Sequence, residues 1–403
     1  MGLYQLLSPV LSISFSLTAA GYQTAISKLV AEQTATSSRP SLRPMFAGLS
    51  ISMPLSLLCN AIIYFYADSI AAVLLGDPRT ADMLRILSFS IPLGAVHSCV
   101  NGYFYGTKKA GIPSASQLIE QCTRVGCVWL VSSYCLRLGK TPSVTVAALG
   151  LTIGELFSMF FSFAAVRHCM RCNHLKRDGA GNERTYHGLL SMALPLTANR
   201  IVLNLLQSIE TVSIPSKLQQ YGYDNATALS VYGVLTGMAM PFIFFPNALT
   251  SSVAVLLLPV ISENYALHNM DAVKKATAKT IRYCGIMGLL CMAGFVILGN
   301  RIGTILFHSP LAGYFITTLG FICPFLYLDT TLSGILQGLG KVGHIFAMNV
   351  FSLLIRLGFV LFLVPLKGIQ GYLWGLLASQ LMQCILYLLC LRSILSEKEQ
   401  NPS

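Results

Sequence analysis

Apolar residues in this chain are gathered into eleven long blocks divided by short polar segments. The blocks run approximately over 3–26, 44–66, 83–105, 114–135, 143–166, 188–212, 228–258, 280–299, 313–337, 344–365 and 369–391. Each holds about 20 residues or more, and about 20 helical residues at 1.5 Å each span the ~30 Å of hydrocarbon in a bilayer. Open strands would leave backbone groups unsatisfied in lipid. The ten-residue alternation of a membrane β-barrel is absent from the sequence. The pattern therefore predicts an all-α integral membrane fold of about 11 transmembrane helices. The first block lacks a basic leader and is expected to be a membrane helix, not a cleaved signal.

A repeat organises the blocks. Shifted by 232 residues, 69–128 aligns with 301–360 without a gap, and fourteen of the sixty positions are identical. A composition this apolar would give roughly four to six matches by chance. Pro78, Pro92 and Arg124 fall on Pro310, Pro324 and Arg356. A Gly-x-x-x-Gly-x-x-Lys-x-Gly pattern recurs as Gly102, Gly106, Lys109, Gly111 and as Gly334, Gly338, Lys341, Gly343. Two glycines four apart let a neighbouring helix approach closely. The lysine suits a headgroup boundary, and the last glycine is expected to permit the tight turn that follows. Pro92 and Pro324 lie mid-block and are expected to kink or break their helices.

Block 188–212 has no counterpart 232 residues earlier, so the expected parent is six plus six helices, with the first helix missing here. The domains read as an N-terminal helical lobe of five helices over 1–180 and a C-terminal lobe of six over 181–403. An even number of helices per repeat gives both halves one orientation, a parallel repeat about an axis along the membrane normal.

Composition agrees with this picture. Charged residues are 10% and hydrophobic residues 54% of the chain, where a soluble surface needs roughly 25% charged residues. Fifteen basic residues from Arg39 to Lys398 lie after odd-numbered blocks, against six (Arg79, Arg137, Lys140, Lys217, Arg301, Lys367) in the opposite segments. The positive-inside rule then places the C-terminus in the cytoplasm. The net charge of +12 follows from that division among short loops, and no nucleic acid partner is implied.

The recurring Gly-Lys turn (Gln337-Gly338-Leu339-Gly340-Lys341), the run Tyr232-Gly233-Val234-Leu235-Thr236-Gly237-Met238-Ala239-Met240-Pro241, and Leu258-Pro259-Val260-Ile261-Ser262-Glu263 carry a family likeness. Together they resemble the multidrug/oligosaccharidyl-lipid/polysaccharide exporter superfamily, in its stage V sporulation protein B and polysaccharide biosynthesis flippase branch. The likeness covers almost the whole chain, and Gly2-Leu3-Tyr4-Gln5-Leu6 looks like the family's second helix. The resemblance implies a monomeric, multi-pass protein of the bacterial plasma membrane that works by alternating access. It implies polyprenyl-diphosphate-linked saccharides for cell wall, spore cortex or polysaccharide as substrates. The missing first helix departs from the family's pattern and puts the activity of this chain in question.

Charged side chains at membrane depth cost roughly 2.5–3.5 kcal/mol each on insertion scales, so they face a cavity or a partner. Gln117, Glu120, Gln121 and Arg124 share one helical face, and Asn349, Ser352 and Arg356 occupy matching positions in the second half. Arg200, Asn204 and Gln207 form another stripe, with Glu210 about 80° away, and Glu155 adds a further carboxylate. Two readings stand side by side. In one, Glu120 and Arg124 tie helices as an i,i+4 pair. In the other, Arg124, Arg200 and Arg356 line a water-filled cavity and bind an anionic lipid-linked saccharide, since a planar guanidinium donates two bonds to a diphosphate. Glu155 and Glu210 are candidate proton or sodium sites. Asp329, about one turn past Pro324, can satisfy freed backbone donors.

The cluster His168-Cys169-x-x-Cys172-x-His174 has zinc-ligand types, but it crowds them into one short loop, and it reads as an incidental basic segment. No cofactor or metal is expected. The cysteines within helices read as small hydrophobes. No Walker loop or nucleotide fingerprint is present, which disfavours an ATP-driven pump. A cation-coupled multidrug exporter of the same fold remains an alternative. A membrane-embedded transferase is the reading of another class, and the outer loops are poor in the acidic and His clusters it needs. Single-cysteine labelling is expected to find 167–187 cytoplasmic and 214–227 external; labelling of both from one side would reverse this orientation.

Overall fold

A computed structural model describes residues 2–36, 41–109, 111–139, 144–172, 183–267 and 269–400. All regular structure among the described residues is helical. Among the described residues, seven helices are long and apolar enough to cross a bilayer, or up to nine when each of two bent pairs counts as one span. Two of the expected blocks fall outside that group for physical reasons. The first is broken into Gly2–Gln5, Ser8–Phe15, a π-turn at Ser16–Ala20, and Gly21–Thr36. The Gly111–Arg137 helix carries the Gln117–Arg124 polar face within its length. Block 228–258 divides into Asn225–Phe244, with a π-turn at Leu235–Ala239, and Asn247–Ala266 after Pro246.

The chain forms two compact units, Leu6–Ser208 and Met1–Gln5 with Ile209–Ser403, called here the first and second bundles. The division lies within the 39-residue helix Glu183–Tyr221. Its first part packs in the first bundle. Tyr186 Oη lies 3.1 Å from Ser50 Oγ, and a Cβ at Gly21 would sit 1.9 Å from Thr197 Oγ1. Ile26, Leu189, Tyr103 and Phe104 are core residues there. In the second bundle Phe315, Ile316, Tyr327 and Val360 fill one core, and Ile335, Leu336 and Tyr387 fill another.

The repeat is visible in the backbone. Pro78–Ser88 and Ser90–Gly106 meet at 41°, and Pro310–Gly320 and Cys323–Gly338 meet at 56°. Both breaks fall just before the repeated proline, with Pro92 and Pro324 inside the first turn of the following helix, where a missing N–H costs little. Three of the four paired glycines lie against a neighbouring helix, as their spacing requires. A Cβ at Gly102 would lie 2.7 Å from Gln23 O, and one at Gly106 2.6 Å from Ser27 O, so that face lies directly against the Gly21–Thr36 backbone. Gly334 meets Ala254 in the same way.

The turn that follows differs from expectation. Gly111 and Gly343 have no positive φ; the left-handed residues are Lys108 (φ 58°) and Gly340 (φ 75°), which are themselves 232 positions apart. The chain turns three residues before the repeated glycine, and only the second half has a glycine at the strained position. A Cβ-bearing residue in the left-handed region costs about 1–2 kcal/mol, part of which glycine returns through its freer unfolded chain. Lys108→Gly is therefore expected to raise, and Gly340→Lys to lower, the unfolding free energy by about 1 kcal/mol. SDS-titrated unfolding in detergent measures both, and changes of the same sign would refute the turn assignment.

Candidate functional site

In the first bundle the Gly111–Arg137 helix presents three faces. Pro113, Ser116 and Glu120 are buried; Leu118, Val125 and Trp129 are exposed and apolar; Gln117 and Gln121 are exposed and polar, with half-buried Arg124 beside them. The buried face meets the Thr145–Cys172 helix. Gly150 and Gly154 allow the approach, since a Cβ at Gly154 would lie 2.9 Å from Glu120 O and one at Gly150 3.2 Å from Arg124 O. Ser116 Oγ lies 2.8 Å from Ser158 Oγ and 3.1 Å from Ser162 Oγ, joining the helices further along.

That close approach brings Glu155, next to Gly154, toward Glu120. The Ser90–Gly106 helix adds His97, whose Nδ1 lies 3.5 Å from Glu155 Oε2. Glu120 accepts a short hydrogen bond from Arg124 Nη2, the i,i+4 ion pair that the spacing predicts. Arg124 Nε is buried and donates to nothing in the described structure. The site thus holds two buried carboxylates, one imidazole and one guanidinium, drawn from three helices.

The second bundle handles its charge differently. Arg356 Nη2 donates to Glu210 Oε2 at 2.7 Å, and Tyr372 Oη donates to Glu210 Oε1 at 2.9 Å. Both Glu210 oxygens are thereby occupied, and the pair is nearly sealed, with side chains 17% and 5% exposed. Arg356 and Gln380 border a cavity of about 50 Å³ that is otherwise apolar, with Ile243 and Leu376 on its wall. Asn349 Oδ1 accepts from Gln383 Nε2 at 2.6 Å and Tyr387 Oη at 2.7 Å. No backbone N–H donates to either carboxylate oxygen of buried Asp329, so it does not serve the backbone near Pro324 as expected.

The expected site residues therefore separate into groups. Glu120, Arg124 and Glu155 come together in the first bundle, and Glu210 and Arg356 in the second. Asn204 is a tie, donating from Nδ2 to Ser12 O at 3.2 Å and Ser16 Oγ at 2.5 Å. Asn349 is likewise engaged with its neighbours. Gln117, Gln121, Arg200 and Gln207 are exposed, and no ion pair of Arg200 occurs among the described residues. The sequence reading missed His97, Asn101 and Tyr372. A signal existed for His97, because the 232-residue shift sets it against Asp329. The His168–His174 cluster runs into residues 173–182, outside those described.

Comparison with known proteins matches a family model described as polysaccharide biosynthesis protein over residues 1–265, about two thirds of the chain. The chain belongs to this family. A second model, MatE, matches 201–362. Stage V sporulation protein B of Bacillus subtilis (strain 168) is 26% identical over 393 residues, covering 96% of this chain and 76% of the relative. The lipid II flippase MurJ of the same organism is 21% identical, covering 87% and 69%. Among solved structures, the inward-facing conformation of a multidrug resistance MATE family transporter of the MOP superfamily shares the fold at TM-score 0.75. It is 18% identical, with 100% of this chain and 92% of that one covered. A MOP superfamily transporter from Pyrococcus furiosus gives TM-score 0.69 at 16% identity, covering 98% and 88%. The expected superfamily is confirmed, and with it an integral membrane, multi-pass transporter fold of this family.

The Glu210–Arg356–Tyr372 group makes a stability prediction. Removing one partner of a buried ion pair typically costs about 3–5 kcal/mol, because the other charge stays buried alone. Glu210→Gln is expected to lower stability by about that much, and Glu210→Met with Arg356→Met by far less. Equal losses for the single and double variants in detergent unfolding would show that the pair is not a sealed one.

Proposed function

We propose that this family member flips polyprenyl-diphosphate-linked saccharide precursors by alternating access, with Arg124 and Arg200 receiving the anionic headgroup. One observation carries the reading: Gln117 and Gln121 are exposed with Arg124 half-buried beside them, and Arg200 is exposed on the Glu183–Tyr221 helix, both within long apolar blocks. Lipid is a costly neighbour for such groups, so a stripe of them at membrane depth marks a face that meets water or a polar ligand. The Arg124 side chain stays 29% exposed beyond its bond to Glu120. A guanidinium with free edge donors suits a diphosphate oxygen pair. Arg356 is more strongly committed, because Glu210 holds it in a buried pair beside a cavity too small for a headgroup. It is the least available of the three arginines to the substrate. The names of two relatives, a stage V sporulation protein and a lipid II flippase, agree with this substrate class.

A second reading, cation-coupled multidrug export, is favoured by Glu155, a buried carboxylate with an unspent oxygen. Under either reading Glu155 is the better candidate for ion coupling than Glu210, whose two oxygens are both occupied.

The test is complementation of a flippase-deficient bacterium by this chain. Arg124→Ala and Arg200→Ala are expected to abolish rescue, and Arg→Lys at either site to restore it poorly, since lysine keeps the charge but not the planar fork. A helix tie at 124 predicts instead that Arg124→Lys largely restores activity and that Glu120→Gln is as harmful as Arg124→Ala. Equal activity of Ala, Lys and Arg at both sites, at equal expression, would remove the headgroup proposal and favour the cation-coupled exporter.

A further inference from the structure

The His97, Glu120 and Glu155 triangle has the donors of a metal site. Each residue offers one ligand atom, and the three atoms all lie within 4.8 Å of one another. Donors around a tetrahedral zinc, each about 2.0–2.2 Å from the ion, stand roughly 3.3–3.6 Å apart. The 3.5 Å between His97 Nδ1 and Glu155 Oε2 already has that value. Three helices converge on the point, and the Gly150 and Gly154 contacts hold two of them in close register.

Two buried atoms here are left without hydrogen bonds: Glu155 Oε2, in a residue only 8% exposed, and Asn101 Oδ1, in a residue 7% exposed. One arrangement satisfies both. Asn101 Nδ2 lies 2.6 Å from His97 Nε2. An amide turned by half a rotation presents its oxygen instead, and Nε2–H then donates to Asn101 Oδ1. The Nδ1 lone pair is thereby left facing the two carboxylates, a repulsion that a bound cation, or a proton on Nδ1, relieves. An imidazole whose far nitrogen donates to a fixed oxygen is the usual second shell of a metal-bound histidine.

The donor set also selects the ion. Sodium and magnesium favour oxygen-only shells, whereas one imidazole nitrogen with carboxylate oxygens suits first-row divalent ions of the zinc class. Arg124 holds one oxygen of Glu120 and so limits that residue to one donor, which leaves three protein ligands and an open fourth position. The second half does not repeat the set: positions 329, 352 and 387 are Asp329, Ser352 and Tyr387. We propose that His97, Glu120 and Glu155 bind one zinc-class divalent ion in the first bundle, with Asn101 as the residue that positions His97. The site shares Glu120 with the Arg124 pair, and its test does not rely on transport.

The full chain, purified in detergent and stripped with chelator, is dialysed against zinc chloride in excess sodium chloride, and bound zinc is measured by mass spectrometry. The wild type is expected to hold about one zinc more than His97→Gln and Glu155→Gln. A Cys172→Ser, His174→Ala double variant should keep that zinc, which separates this site from the cytoplasmic loop cluster. Asn101→Leu should weaken binding by about 10–100-fold without removing a ligand. Zinc should raise the melting temperature of the wild type and not of His97→Gln, whose own melting transition reports that it folds. If His97→Gln fails to fold, X-ray absorption of the wild type decides: a shell of nitrogen and oxygen with one imidazole supports the site, and sulfur ligands refute it. Equal zinc in wild type and His97→Gln, loss only in the Cys172/His174 variant, or displacement by sodium would each overturn the proposal. The last two results would assign the metal to the loop, or the triangle to a monovalent cation.

Discussion

Hydrocarbon offers a polar group no hydrogen-bond partner, so each donor, acceptor and charge at membrane depth has to find its match within the protein or at a watered face. The helices answer this for the backbone. Side-chain hydroxyls answer it by folding back on their own helix: Ser14 donates to Val10 O and Thr18 to Ser14 O, each at 2.7 Å, and Thr236 to Tyr232 O at 2.7 Å. These last two bonds lie in or beside the π-turns, where the regular ladder is interrupted. Between helices the same demand produces the Asn204 contacts with Ser12 and Ser16 and the Asn349–Gln383–Tyr387 group.

Charge brings out the difference between the two halves. Arg124 and Arg356 occupy equivalent places in the repeat, and the duplicated backbone keeps its bends and its glycine contacts around both. Their partners are unrelated. Arg124 pairs with a residue one turn away on its own helix and stays partly open; Arg356 reaches a carboxylate 146 residues away and is closed over by Tyr372. A local pair can exchange its partner for a ligand without disturbing packing between helices, whereas breaking a pair between helices exposes the core of the bundle. This asymmetry leaves one arginine partly open and the other sealed.

The exposed polar stripe and the sealed groups serve one transporter architecture. A face that carries Gln117 and Gln121 costs stability if lipid covers it, and is retained where water or substrate reaches it. The buried His97–Glu120–Glu155 group borders that face, because Glu120 lies beside Gln117 and Gln121 on the same helix and is bonded to Arg124. Gly154 is decisive for this, because any larger residue would drive apart the two helices that supply the carboxylates.

Much of the fold was legible in the residues themselves. Block length and the near absence of charge dictate membrane helices, since nothing else satisfies a backbone in lipid. The 232-residue repeat located both bends through Pro92 and Pro324, because proline acts on its own backbone wherever it stands. The Glu120–Arg124 pair followed from i,i+4 spacing on one helix. Interactions between helices could not be read in this way. The partner of Arg356, the hydroxyl that closes over Glu210, and the meeting of His97 with Glu155 depend on how helices rotate and approach. That rotation is set by glycine contacts with backbones far away in the chain, and a hydropathy pattern contains no record of it. The left-handed residue at Lys108 shows the same limit locally: spacing marked where the chain turns, and only the folded geometry decided which residue carries the positive φ.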